Sequence, residues 1–514
     1  MFKIFIMSLL TLASTTISAQ TIQECLHGQT SKTIPLQPQQ GNYITGNIQF
    51  SQMDYTRAGI SAQLFSGSLK RTLFSNKTNE QNLVLWLPEQ HNTYALHIDA
   101  PEQPNLCYTL TLNHQHAQLQ PQNHEPNTTP QSLRLRQILQ SHNRPQAVNQ
   151  FWQDIQQQGA PLIEPLNHQQ SLVTFIYRGA KHNVRLIGAP SNDHEWLVPL
   201  PQTDIWYKSF VVDNHIRLSY RFAPDVPTPI LAPETPDAAY QKRRALLAVL
   251  QADTLNPHRY GEQSLLDLNK RPNHPTPPKG SLKQYAFHSV ILGNQRRIWL
   301  YQNRSTNRAN PIFVYLFDGQ NYLDETQLLA NLDKLPDSMP PIYLVLIDNT
   351  NRAQELPVNS SLNNMLAKEL FAFIAQQTGI PHQPQRSVLA GSSYGGLATA
   401  YFAHQYPDLI HYFVPMSGSF WWKKQPTDPD NGLKTLFIQQ PTPPLHWYIS
   451  AGSYETTRHA QAIGILETSQ ELAELLKQQG HTVQFQKIAG SHDYAIWENV
   501  LPHALKTFFN TTKH

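Results

Sequence analysis

Gly391-Ser392-Ser393-Tyr394-Gly395 sets one serine in a Gly-x-Ser-x-Gly frame. The residues before it, Ser387-Val388-Leu389-Ala390, have the apolar texture of a buried strand, and the stretch 396–406 reads as a helix. A strand that turns directly into a helix at a serine holds that hydroxyl exposed, on a bend where glycines at 391 and 395 let the two elements approach. The helix dipole behind the serine favours negative charge there. Such a junction belongs in a parallel sheet with helices on its faces.

The rest of the C-terminal half carries that pattern. Apolar runs at 311–317, 341–347, 386–391, 412–417 and 445–450 read as buried parallel strands, with helical stretches at 362–377, 396–405 and 466–479 between them. Strand–helix alternation of this kind predicts a doubly wound, mostly parallel sheet over 279–514.

The N-terminal half has another texture. At 514 residues the chain is too long for one core. Strands with period-two alternation are expected at 43–50, 83–87, 94–98 and 107–112, giving a small β-sandwich over 20–115. Residues 116–160 read as a linker followed by helices, with Leu133, Leu135, Ile138, Leu139, Val148, Phe151, Trp152 and Ile155 at helical spacing. A second sandwich is expected over 161–278, with strands at 172–177, 184–188, 205–212 and 216–222 and a short helical connector after them. Lys3, the apolar run Ile4 to Ala13 and the small pair Ser18-Ala19 make residues 1–19 a secretory signal, too short to span a bilayer. Export would let Cys25 and Cys107 form a disulfide. A net charge of +3, evenly spread, gives no reason to expect a nucleic-acid partner. No phosphate loop, dinucleotide fingerprint or HExxH motif calls for a cofactor or metal.

A serine hydroxyl needs a base, and this arrangement supplies acid and histidine after the serine in sequence. His492 follows the strand expected at 482–488, in a loop of small residues, and is the candidate base. His404 lies in the helix after the serine, His446 inside an apolar strand and His481 at a surface turn, all structural positions. Glu455 sits in the loop after the run 445–450 and is the candidate acid, with Asp428 and Asp430 as alternatives; Asp493, adjacent to His492, is badly placed to orient that ring. The oxyanion hole is assigned to the amide of Tyr394 and to that of Gly319 or Gln320 in Phe317-Asp318-Gly319-Gln320-Asn321.

Together with that motif, "NRAQELP" (351–357), "SGSFWW" (417–422) and "SAGSYE" with "AGSHDYAIW" resemble the catalytic domain of enterochelin (enterobactin) esterases, and 161–226 resembles that family's N-terminal domain. The resemblance implies an α/β hydrolase domain preceded by β-sandwich domains, a Ser393–His492–Glu455 triad, and hydrolysis of the trilactone of a ferric catecholate siderophore. It also implies a substrate-side arginine at Arg352 and aromatic surface at Trp421 and Trp422, with Glu355 a possible partner of Arg352. The signal and the first sandwich depart from the family pattern and point to a periplasmic enzyme. Two other functions fit the same sequence: a general secreted carboxylesterase acting on feruloyl or acyl esters, and a non-catalytic siderophore- or glycan-binding protein.

Overall fold

The computed structural model describes residues 18–38, 42–51, 60–66, 69–75, 80–87, 93–103, 105–119, 129–191, 194–229, 236–269, 276–305, 310–423, 432–457 and 463–509. The expected signal lies outside these apart from Ser18 and Ala19, as do Asp428 and Asp430. The chain forms two compact units, one of residues up to 122 with Asp225–Leu250, the other of Asn123–Pro224 with Gln251–His514.

The first unit is a sandwich of two four-stranded antiparallel sheets. One runs Ser18–Cys25, Cys107–Gln115, Tyr43–Ser51, Glu80–Trp86; the other runs Ser31–Leu36, Tyr94–Asp99, Ser61–Ser66, Leu69–Ser75. Burial alternates strictly along Tyr94–Asp99 and Cys107–Gln115, because successive side chains of a strand point to opposite faces. The inward set, including Ile44, Ile48, Leu85, Leu96, Ile98 and Leu110, forms the core. Cys25 and Cys107 are register partners in the first sheet and are joined as a disulfide. Pro227–Pro229 pairs with Ala117–Leu119, and Ala245 and Ala248 pack on Tyr43 and Trp86. The helical connector, Pro236–Leu247, therefore clusters with the first unit although the sequence reading placed it within 161–278.

In the second unit two helices, Leu133–Gln140 and Arg144–Gln158, start at side-chain caps from Ser132 and Asn143 and bury Leu135, Ile138, Val148, Phe151, Trp152 and Ile155, while Leu139 is half-buried and Leu133, in the first turn, is exposed. Next come a four-stranded sheet, containing Gln170–Arg178 and Ile205–Asp213, and a five-stranded sheet ordered Glu195–Trp196, Val184–Ile187, Arg217–Pro224, Gln263–Asp267, Arg259–Tyr260. Phe175, Leu186, Leu218, Tyr220 and Phe222 fill the space between them.

The remainder is an eight-stranded sheet ordered Ser281–Ser289, Asn294–Gln302, Ile342–Ile347, Ile312–Leu316, Ser387–Ser392, Tyr412–Met416, His446–Gly452, Thr482–Ile488. The last six are mutually parallel and the first two form an antiparallel hairpin on the edge, which the sequence reading had not resolved into strands. Separate apolar clusters cover the two faces. Chain order reverses between Ile312–Leu316 and Ser387–Ser392, neighbours in the sheet whose next strands lie on opposite sides. At such a switch point the strand C-termini open onto a crevice.

The strand Arg217–Pro224 belongs to both parts of this unit. Leu218, Tyr220 and Phe222 enter the sandwich core, while the alternate positions turn to the hydrolase. Arg217, 4% exposed, pairs with Asp267 and, at 3.2 Å, with Glu498, and its Nε donates to Ala495 O at 3.0 Å. Glu498 also accepts from Tyr260 Oη at 3.0 Å and Gln327 N at 2.8 Å. Removing one member of a buried ion cluster strands the others without counter-charge. Arg217→Met is therefore expected to destabilise the protein by about 3–5 kcal/mol, read as a lower urea midpoint by tryptophan fluorescence; an unchanged midpoint would contradict the cluster's role.

Candidate active site

Three residues with side chains adopt positive φ where parallel strands end: Asp318 (φ 60°), Ser393 (φ 58°) and Ser417 (φ 46°). Such conformations persist only where surrounding structure enforces them. Ser393 follows Ser387–Ser392 and precedes the helix Tyr394–Gln405, as the motif predicts. A Cβ at Gly391 would stand 2.4 Å from Gly395 O, so the turn closes only over glycine. The Ser393 amide donates to Met416 O at 3.0 Å, its carbonyl accepts from Leu397 N and Ser419 N, and its hydroxyl meets Ser419 Oγ at 3.3 Å.

Glu455, 1% exposed, lies just past His446–Gly452. Its Oε2 accepts from Ser417 Oγ at 2.7 Å and from Gly452 N. Its Oε1 lies 2.6 Å from His492 Nδ1. A carboxylate only accepts, so Nδ1 carries the proton and Nε2 presents its lone pair. Trp497 packs edge-on against the His492 ring, centroids 4.8 Å apart, and donates Nε1–H to Ser417 Oγ at 2.9 Å. The serine is tied to this pair through Met416 and Ser417: one holds the Ser393 amide, the next holds Glu455. Among the described residues Ser393 Oγ makes its hydrogen bond with Ser419 rather than with His492; catalytic contacts of this kind commonly tighten only with substrate.

Asp318 lies two residues past the strand Ile312–Leu316 and caps the start of the helix Gly319–Glu325. A Cβ at Gly319 would lie 2.8 Å from Ile347 N, which fixes glycine there. The first-turn amides of a helix lack intrahelical acceptors; those of Gly319 and Gln320 and that of Tyr394, first in its own helix, begin at the ends of adjacent strands.

Arg352 has a partner the sequence reading did not foresee. Its Nε and one terminal nitrogen grip Asp318 at 2.7 and 2.9 Å, the latter nitrogen also reaches Ser392 O at 3.5 Å, and its Cζ lies 5.6 Å from the Tyr394 ring centroid. The guanidinium thus ties the loop at 318 to the serine turn. Glu355 does not pair with Arg352; it accepts from Arg296 at 3.0 and 3.1 Å. Trp421 is exposed, while Trp422 packs against the core. His481, expected at the surface, is 5% exposed and accepts Leu445 N at 2.9 Å; burial holds its pKa down. Asp493 turns away from the His492 ring and accepts from Ala495 N at 2.9 Å and from Ser219 N. Asp318, Ser417 and Ser419 were all inside quoted motifs, but their roles depend on contacts between strand ends distant in sequence.

A cavity of about 410 Å³ lies elsewhere, lined by Trp152, Tyr177, Arg178 and Gln251 among others. Arg178 there is engaged by Asp204 and Gln251 by Tyr177.

Residues 289–508 match the family model described as putative esterase, and residues 172–276 match the enterochelin esterase N-terminal model. The chain is 28% identical to the iron(III) enterobactin esterase of Dickeya dadantii over 70% of this chain and 92% of that protein. It is 26% identical to the iron(III) salmochelin esterase of Escherichia coli O6:H1, covering 69% and 92%. In fold it is similar to the crystal structure of the ferric enterobactin esterase of Salmonella typhimurium, with TM-score 0.56 and 24% identity over 70% of this chain and 98% of that one. Two adjoining family matches spanning the second sandwich and the sheet, with relatives aligned over nearly their whole length, show that this chain is similar to the enterochelin (enterobactin) esterases in both regions.

Proposed function

We propose that this chain is a serine esterase that opens the trilactone of ferric catecholate siderophores of the enterobactin type, with Ser393 as nucleophile, His492 as base and Glu455 as the acid that orients it. The observation that carries this reading is the His492 Nδ1 to Glu455 contact of 2.6 Å, made beside a serine on a strained strand-to-helix turn. The named activity of the relatives supplies the substrate class.

Ser393 Oγ attacks a lactone carbonyl as His492 Nε2 takes its proton. The negative oxygen of the tetrahedral intermediate faces the amides of Tyr394 and of Gly319 or Gln320, where preorganised donors act without reorganisation. The carbon–oxygen bond breaks, and His492 returns the proton to the departing alkoxide. Water, deprotonated by the same imidazole, then releases the acyl group. Glu455 keeps its charge throughout and stabilises the imidazolium. Opening the ring lowers the effective concentration at which the three catecholates meet iron, which weakens their hold. Iron enters as part of the substrate. Periplasmic action is supported by the signal-like sequence at 1–19 and by the disulfide, which oxidising compartments favour.

Mass analysis of products from the mature protein mixed with ferric enterobactin tests the substrate: linear trimer, dimer and monomer support the reading, and intact trilactone with cleaved feruloyl ester favours the general carboxylesterase. No hydrolysis of any p-nitrophenyl ester would indicate a binding protein. Ser393→Ala is expected to lower turnover by about 10⁴-fold or more while ferric substrate still quenches tryptophan fluorescence; retained turnover contradicts the mechanism. Glu455→Gln should lower kcat by about 10²- to 10⁴-fold, with Asp493→Asn losing far less, and the reverse order would move the acid to Asp493. Because Arg352 holds Asp318 and the serine turn together, Arg352→Ala should reduce kcat by about tenfold or more on neutral and anionic esters alike. A loss confined to anionic esters would return Arg352 to substrate binding.

A further inference from the structure

The strand Arg217–Pro224 presents Arg217, Ser219 and Arg221 to the same side, because side chains alternate along a strand. Arg217 is taken up by Asp267 and Glu498, and Ser219 N donates to Asp493, the residue after His492. Arg221, the next on this face, has no hydrogen bond or ion pair among the described residues. Its Nε is wholly shielded and meets no partner, and the side chain is half-buried. Arg296, Arg297 and Arg352, by contrast, all meet carboxylates. Burial works against the Arg221 charge, which the carboxylates of Glu325, Asp493 and Glu262 favour from beyond contact distance. Two of these are held elsewhere: Asp493 by Ser219 N and Ala495 N, Glu325 by Asn321 Nδ2 at 2.8 Å.

Glu325 ends the helix whose first amides are assigned to the oxyanion, and Asp493 follows the base. Arg221 follows Ser219 on the strand face that bonds Asp493, so it lies toward the loop that carries His492, on the N-terminal domain rather than on the catalytic one. A half-desolvated cation with no hydrogen-bonded counter-charge is unfavourable, and an anion bound directly to it reverses that.

We propose that Arg221 is the anion-recognising residue of this active site, binding a deprotonated aromatic oxygen of the ester substrate, such as a metal-bound catecholate, while the ester carbonyl lies at Ser393. The proposal rests on the siderophore-esterase reading above. A guanidinium suits the task because its planar fork both donates in pairs and stacks on aromatic rings. The second sandwich then sets which esters are accepted, and the hydrolase supplies the chemistry.

The test compares Arg221→Gln and Arg221→Lys in the full chain, on ferric enterobactin, on anionic p-nitrophenyl hemisuccinate and on neutral p-nitrophenyl butyrate, with thermal melting as a check of folding. The Gln variant should lose about 10- to 100-fold in kcat/KM on the two anionic substrates, chiefly through KM. That loss should exceed the loss on the neutral ester at least tenfold, and Arg221→Lys should recover part of it. Raising salt should narrow the wild-type preference for the anionic esters, as screening requires. Equal losses on all three substrates, or a loss in kcat alone, overturn the proposal. If wild-type protein leaves ferric enterobactin intact, the siderophore reading fails, and the hemisuccinate–butyrate pair still decides Arg221: a selective loss upholds anion recognition, and an even loss removes it. Should the Gln variant not fold, the Lys variant and the salt series carry the same comparison.

Discussion

The Glu455 carboxylate joins elements that the chain brings from far apart. It sits at the end of one strand, accepts the hydroxyl of Ser417 from the next, the amide of Gly452 from its own turn, and the imidazole of His492 from a loop beyond a third. At 1% exposure it has little access to water, so these donors are what makes a carboxylate tolerable there. Each donor it gathers also fixes an atom of the site. Ser417 anchors Trp497 against the His492 ring, and Met416 beside it holds the Ser393 amide. Loss of this one acceptor would leave the imidazole without a defined tautomer and the strand ends without a common partner.

The second sandwich is bound into the same region. Arg217 N donates to Ala489 O at 3.1 Å, Ser491 Oγ to Ala189 O at 3.0 Å, and Asp213 N to Tyr454 Oη at 3.1 Å. These contacts lie just ahead of His492 on one loop and adjoin Glu455 on the other. A domain that sequence alone presents as an accessory thus touches both loops that carry Glu455 and His492. The buried Arg217 cluster makes that attachment specific: its charges are satisfied only in one register of the strand Arg217–Pro224 against the helix Tyr494–Phe509.

Much of this was legible beforehand. The strand at 482–488, the serine turn and the helix after it carry strong local signals: apolar runs, glycines at a sharp bend and helical spacing. The short strands Glu195–Trp196, Val198–Pro199 and Arg259–Tyr260 left no such trace, since two residues cannot display a period. His481 was misplaced because a Gly–His pair looks like a surface turn, whereas its ring is buried against Leu445 and Trp447, which belong to the neighbouring strand region.

By itself the sequence determined the parallel sheet, the sandwich texture ahead of it, the turn at Ser393 and the residues proposed as acid and base, because each follows from local pattern and from the order of elements along the chain. Which cations stay available was decided only in three dimensions. Arg217, Arg221 and Arg352 are alike in sequence; one is sealed in an ion cluster, one grips Asp318, and one remains without a partner among the described residues. Charge pairing depends on distances between side chains on separate elements, and those distances exist only once the sheets have packed.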